Sequence, residues 1–332
     1  MLVSVEQTMK EFHAKSRDLL TVSNLVVEFV IGRRLKIQAV SDVSFKIESG
    51  ETLGLVGESG CGKSTIARTI VQLQKPTSGR IWLNGQEITS CNNKQLRELR
   101  ARLQMIFQDA AASLNPGRKV GRTISEPLRF IGKATRQERA RMARALMEEV
   151  GLDPHQVYDR RPFELSIGQC QRISIARALI TNPKLLICDE PVSSLDVSVQ
   201  AQILNLLENM KACHELTMLF ISHNLAVIKN ICDRVAVMYL GKMCEIADSE
   251  SLYRAPRHPY TAALMDAIPE FNRTRRSNKI SLRGGEIPSP ASPPSGCRFR
   301  TRCPRAQHRC SVNELVLTEE QPGRWVACHY QL

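Results

Sequence analysis

Gly57-Glu58-Ser59-Gly60-Cys61-Gly62-Lys63-Ser64-Thr65 is the stretch on which the reading of this chain turns. It matches G-x-x-x-x-G-K-[ST], a pattern that carries weight only between a strand and a helix. Both flanks are present: the apolar run Thr52 to Val56 reads as a strand, and a helical stretch begins near Lys63. The glycines let the backbone curl until successive N–H groups and the helix N-terminus face an anion. Lys63 adds a charge, and Ser64 offers a hydroxyl to Mg²⁺. A Gly-rich turn arising by chance would lack this context, so the stretch reads as a phosphate-binding loop.

Outward from the loop, Leu20 to Phe29, Val40 to Ile47 and Ile81 to Leu83 read as strands separated by Gly and Asn turns. Helical periodicity takes over at Glu138 to Val150, where Met142, Leu146 and Val150 recur every fourth residue. It returns from Val199 to Met210, with Ile203, Leu206 and Leu207 on one stripe. Short apolar strands at Leu185 to Cys188, Met218 to Ser222 and Val235 to Tyr239 alternate with the helices, the pattern of a parallel sheet covered on both faces. The fold class is α/β. The run Lys184-Leu185-Leu186-Ile187-Cys188-Asp189-Glu190 ends in two carboxylates. Alone it means little, but downstream of a phosphate loop Asp189 is placed to hold Mg²⁺ and Glu190, one residue on, to polarise an attacking water.

The composition, 42% hydrophobic and 24% charged, is that of a globular protein with a sizeable core. No apolar run approaches the ~20 residues that span a bilayer. Glu6, Glu11, His13 and Asp18 interrupt the first twenty residues, which do not read as a secretory signal. A cytosolic address is expected, where the eleven cysteines serve metal binding or packing rather than disulfides. The net charge of +13 is compatible with nucleic acid, anionic lipid or neither, but its placement is informative: ten Lys or Arg and one acid, Glu286, lie between Arg273 and Arg309. These shifts predict a leader over 1–20, an α/β domain over 21–268, and a linker with a small cysteine-bearing tail over 269–332.

Further fragments carry a family resemblance. Leu165-Ser166-Ile167-Gly168-Gln169 resembles the signature LSGGQ, and Gln108 matches a Q-loop. Ser193-Ser194-Leu195-Asp196 matches a D-loop, and His223 after Ile221-Ser222 a switch histidine. With the two phosphate motifs, in family order over about residues 20–245, the sequence is identified as resembling the ABC (ATP-binding cassette) ATPases. The resemblance implies a P-loop, RecA-like parallel sheet core with an antiparallel β subdomain and a helical signature subdomain. It also implies a head-to-tail pair of cassettes with ATP between the phosphate loop of one and the signature of the other. In that pair Gly57 to Thr65 and Asp189 bind ATP, and Ser64, Gln108 and Asp189 surround Mg²⁺. Glu190 is the general base with His223 as its positioning partner, while Ser166, Gly168 and Gln169 meet the partner's nucleotide. Phe29 either stacks on adenine or is a core strand residue. Ile167 stands where the family has glycine; either it strains and crowds the partner's site, or the position absorbs it.

A narrower resemblance, to the oligopeptide/dipeptide permease ATPases, rests on Ser113-Leu114-Asn115-Pro116, Arg257-His258-Pro259-Tyr260-Thr261, and Gly285 to Pro290 running into Pro294-Ser295-Gly296-Cys297. It implies a subunit on the cytoplasmic face of a bacterial cell membrane that powers peptide import. Its partners would be two transmembrane permease subunits, a second, paralogous ATPase and an extracytoplasmic peptide-binding protein. Nickel and glutathione importers share these features. A nucleic-acid-dependent ABC ATPase is the contrasting reading, against which stand the single cassette and an aromatic content of 5%. Cys297, Cys303, Cys310 and Cys328 are spaced in a segment poor in apolar periodicity, of the kind that needs a staple. Four thiolates suit an iron–sulfur cluster or Zn²⁺, and the resemblance favours [4Fe–4S] over zinc or free thiols. Loss of the cluster is expected to loosen this tail and leave nucleotide binding largely intact.

Overall fold

Strands β1 (Asp18–Ile31), β2 (Leu35–Glu48), β3 (Thr52–Val56), β4 (Ser78–Leu83), β5 (Gln86–Glu87) and β6 (Leu103–Ile106) occupy the first third of the chain. They are followed by β7 (Leu185–Asp189), β8 (Thr217–Ser222), β9 (Arg234–Tyr239), β10 (Lys242–Asp248), β11 (Thr318–Gln321) and β12 (Arg324–Val326). This is a computed structural model describing residues 18–31, 35–132, 134–267, 282–284 and 286–332. Most of the expected leader and the basic start of the linker lie outside the described residues.

Contacts divide the chain into two compact units. The first takes residues 47–51 and 82–221, with 18–20 of β1. Its strands β6, β7 and β8 run parallel, with Leu103 opposite Leu185, Cys188 opposite Phe220 and Asp189 opposite Ile221. Every residue of β7 and β8 is buried, as expected of a parallel sheet covered on both faces. Helices Val120–Ile131, Arg136–Glu149 and Ile167–Leu179 pack on one another and form the helical part of this unit.

The periodicity read from sequence found the middles of helices, and capping residues set their ends. Thr135 and Glu138 form a capping box that starts the helix two residues before Glu138, and Asp196 caps the helix Val197–His214. Sequence reading missed the helix Val120–Ile131 because Gly121 and Pro127 interrupt it. Its buried Val120, Ile124 and Leu128 nevertheless recur every fourth residue.

The second unit takes residues 21–46, 52–81 and 222–332, so β3, which leads into the phosphate loop, and the cysteine-bearing tail belong to one body. Its larger sheet runs β11-β12-β10-β9-β3, with β3 and β9 parallel and the rest antiparallel. The tail thus has strand partners: Val326 sits opposite Glu245 and Trp325 opposite Ile246. A second sheet places β1 between β2 and β4, and β4 pairs antiparallel with β5, in keeping with the antiparallel element that the resemblance implied. No helix among the described residues is long and apolar enough to cross a membrane.

Candidate active site

β3 is buried throughout and delivers the chain into the phosphate loop. Gly62, the residue before the helix Lys63–Ile70, has φ +106°, and a Cβ there would stand 2.2 Å from the Ala39 carbonyl oxygen. Only glycine satisfies both the left-handed backbone and that close approach. Lys63 is buried, and its Nζ donates to the carbonyls of Gly57 at 2.7 Å and Glu58 at 3.1 Å, which places the ammonium at the centre of the loop. Cys61 is packed beside it, and burial pushes its thiol up, so it acts as a small apolar residue. Ser59 and Gly60 are exposed, while Ser64 and Thr65 are half-buried in the first turn.

In the first unit β7 ends on the buried Asp189, and the next residue turns sharply. Glu190 has φ +47°, a left-handed backbone that a side-chain-bearing residue adopts only when its surroundings hold it there. They do: its N–H donates to the Ile221 carbonyl at 3.0 Å, and its own carbonyl accepts from Ser193 N–H at 3.3 Å and Ser193 Oγ at 3.1 Å. The carboxylate is thereby aimed at Gln108, whose Nε2 donates to Oε2 at 3.2 Å. The structure brings Gln108 and Glu190 together.

The signature segment opens the helix Ile167–Leu179. Ser166 and Gln169 form a reciprocal capping box, with Gln169 N–H donating to Ser166 Oγ at 3.2 Å and Ser166 N–H to Gln169 Oε1 at 3.0 Å. Gly168 lies where a Cβ would meet Val199 at 3.0 Å, so this glycine also serves helix packing. Ile167 is the first residue of the helix and has no left-handed backbone, so the strain considered from sequence is absent. Its side chain is 55% exposed. His223 follows β8 and is exposed, and Phe29 in β1 is 37% exposed, so Phe29 is not a core residue.

A family model described as ABC transporter matches residues 40–193, and one described as oligopeptide/dipeptide transporter, C-terminal region, matches residues 244–310. A putative oligopeptide transport ATP-binding protein of Bacillus subtilis, YkfD, is 48% identical over 94% of this chain and 95% of its own length. The chain belongs to the ABC transporter family. The oligopeptide transport ATP-binding protein OppF of Haemophilus influenzae is 47% identical, covering 93% of this chain and 96% of that protein. Among solved structures, the ATP-binding cassette MJ0796, dimeric in a post-hydrolysis state with ADP and Pi, matches with a TM-score of 0.64 at 26% identity, over 69% of this chain and 98% of that one. This ABC ATPase accordingly binds and hydrolyses ATP, and Mg²⁺ is the metal expected with it.

The cysteine tail of the ABC protein is a different matter. Cys297, Cys303, Cys310 and Cys328 do line one small cavity, together with His329, whose buried Nε2 has no hydrogen-bond partner among the described residues. The cavity measures about 10 Å³, room for roughly one water. Among the described residues no three His, Cys, Asp or Glu stand where they could hold a metal ion together. Burial pushes the Cys297 thiol up to about 11 and Cys328 up to about 12, with the neighbouring cysteines adding to both, so these groups are protonated thiols near neutral pH. The four cysteines expected to hold an iron–sulfur cluster share one cavity but form no coordination geometry among the described residues.

Proposed function

We propose that this ABC ATPase powers the import of peptides across a bacterial cell membrane, as one of two ATPases on the cytoplasmic face. The supporting observation is the junction, in one chain, of a cassette with an oligopeptide/dipeptide transporter C-terminal region. ATP would lie on the loop Gly57 to Thr65 with Phe29 against the base, and across a head-to-tail pair Ser166, Gly168 and Gln169 would close over the partner's nucleotide. Ser64, Asp189 and Gln108 would hold Mg²⁺, which would supply charge neutralisation for the phosphates. Glu190, fixed by its main chain, takes the proton of the attacking water, and His223 positions that pair. A paralogous second ATPase and an extracytoplasmic peptide-binding protein complete the assembly, and nucleic acid has no part in it.

The first unit carries a groove of about 700 Å³ lined by Arg97, Gln104, Phe107, Phe130 and Arg177 among others. Phe130 is 62% exposed at its rim, and the floor strand β6 leads directly to Gln108. An exposed aromatic in a groove adjoining the Q-loop suits a helix of a permease subunit, whose docking would then bear on the hydrolytic residues. Phe130→Asp should abolish co-purification of permease subunits from native membranes, while the isolated chain still binds ATP. Permease recovery equal to wild type would remove the groove from this reading. Uptake by the reconstituted transporter of di- and oligopeptides, but not nickel or glutathione, is the outcome that fixes the cargo.

The four tail cysteines are the ligands we assign to a [4Fe–4S] cluster; soft thiolates select such groups, and binding would require deprotonation and an opening of the closed cavity. Protein purified without oxygen should carry about four irons per chain and lose them in Cys303→Ser. Zinc without iron, or no metal, in that material would replace the assignment by a zinc site or a packed thiol cluster.

A further inference from the structure

The turn from Cys297 to Cys303 is wound tight by its main chain: Arg300 N–H donates to the Cys297 carbonyl, and Arg302 and Cys303 N–H both donate to the Phe299 carbonyl, each at 3.0 Å. This winding directs three side chains into the second unit. Phe299 is buried against Tyr239 and Tyr260, with ring centroids 5.3 and 5.2 Å away. On either side of it Arg302 reaches Glu58 of the phosphate loop and Arg298 reaches Gln38, Ser41 and Leu240.

Arg302 pairs with Glu58, the second residue of that loop. Its Nη1 lies 3.0 and 2.7 Å from the two carboxylate oxygens, and its guanidinium carbon lies 5.8 Å from the Tyr239 ring centroid. The pair is largely shielded, and Glu58 raises the guanidinium further above its ordinary value. Glu58 is also held by its main chain. Its N–H donates to Tyr260 Oη at 3.0 Å, and its carbonyl accepts from Lys63 Nζ at 3.1 Å. Arg298 acts one step behind. It donates to the Leu240 carbonyl, to Gln38 Oε1 at 2.9 Å and to Ser41 Oγ at 2.8 Å, and the adjoining Gly241 N–H donates to the Cys61 carbonyl at 2.9 Å.

We propose that Arg302, backed by Arg298, is a positioning residue of the nucleotide site, through which the cysteine-bearing tail sets the shape and charge of the phosphate loop. Two physical effects act together. The ion pair fixes Glu58, and with it the carbonyl that places Lys63. It also neutralises a carboxylate that would otherwise stand beside a triphosphate in a half-buried loop, where charges are weakly screened. This role for Arg302 runs counter to the expectation that the tail could loosen with nucleotide binding intact.

The test is binding of a fluorescent ATP analogue to the full chain, with a melting curve recorded without nucleotide. Arg302→Gln, which keeps most of the side-chain volume, should weaken binding about tenfold, equivalent to about 1.4 kcal/mol. Arg302→Lys should recover most of it by restoring the charge. The double variant Glu58→Gln, Arg302→Gln should bind better than Arg302→Gln alone, because no bare carboxylate remains. In the assembled transporter the loss should fall on KM for ATP rather than on kcat. Lys63→Ala must abolish analogue binding; if it does not, the assay is not reading this nucleotide site. With that control in place, Arg302→Gln binding within twofold of wild type, or a double variant equal to the product of its singles, overturns the proposal. A lowered melting temperature with unchanged affinity would mean that Arg302 only stabilises the fold.

Discussion

Glu190→Gln should leave ATP binding intact and slow turnover of the assembled transporter at least about a hundredfold, the scale of a positioned general base. The substitution preserves shape, and the amide oxygen can still accept from Gln108 Nε2, now 3.2 Å from the carboxylate. The left-handed backbone at this position is held by Ile221 and Ser193 through main-chain groups, so it does not depend on the side chain's charge. What is removed is basicity alone. The measurement needs the partner ATPase silenced, since a head-to-tail pair has two sites. Hydrolysis within a few-fold of wild type under that condition would strip Glu190 of its role as base.

The second large effect lies away from the nucleotide. Glu245 on β10 is fully buried, and its carboxylate accepts from Arg257 N–H at 3.0 Å, His258 N–H at 2.9 Å and Arg324 Nη2 at 2.8 Å. Arg324 comes from β12, near the end of the chain. Arg324→Met removes the cation and leaves the carboxylate buried, a change that typically costs about 3–5 kcal/mol. In a body of this size the melting temperature should fall by roughly 10 °C. Adding Glu245→Gln removes the stranded charge and should restore a good part of the loss. A shift below about 1 kcal/mol for Arg324→Met would show that the pair contributes nothing beyond its main-chain neighbours.

The phosphate loop, the carboxylate pair and the signature were legible because each is a run of adjacent residues whose meaning is local. Their strand and helix contexts were legible for the same reason: the apolar runs of β3, β7 and β8 are short, continuous and bounded. The left-handed backbone of Glu190 was hidden, because glutamate has no preference for it and the bonds that impose it come from Ile221 as well as Ser193. The arginine contacts were hidden for the same reason in stronger form: Arg302 and Glu58 stand 244 residues apart. Strand β10 escaped notice because Glu245 breaks its apolar run, and its partners, Arg324 from the tail and the N–H groups of Arg257 and His258, lie far from it in sequence. The tail was misjudged as unable to fold by packing because its own composition is poor in apolar residues. Its support comes from β10 and from the aromatic residues Tyr239 and Tyr260, which precede it.

The pairing of β12 on β10 also bears on how the molecule behaves in a crowded solution. Without the tail, β10 would end the second unit's sheet as a long edge with open N–H and C=O groups and the apolar side chains of Met243, Cys244, Ile246 and Ala247 beside them, a template for strands of other molecules. With it, the sheet ends on β11, a short strand of Thr318, Glu319, Glu320 and Gln321, every one exposed. Two glutamates at that border repel a like edge. The same residues that close the sheet therefore keep neighbouring copies from adding to it, and a chain cut ahead of Thr318 should aggregate before it loses its ability to hold nucleotide.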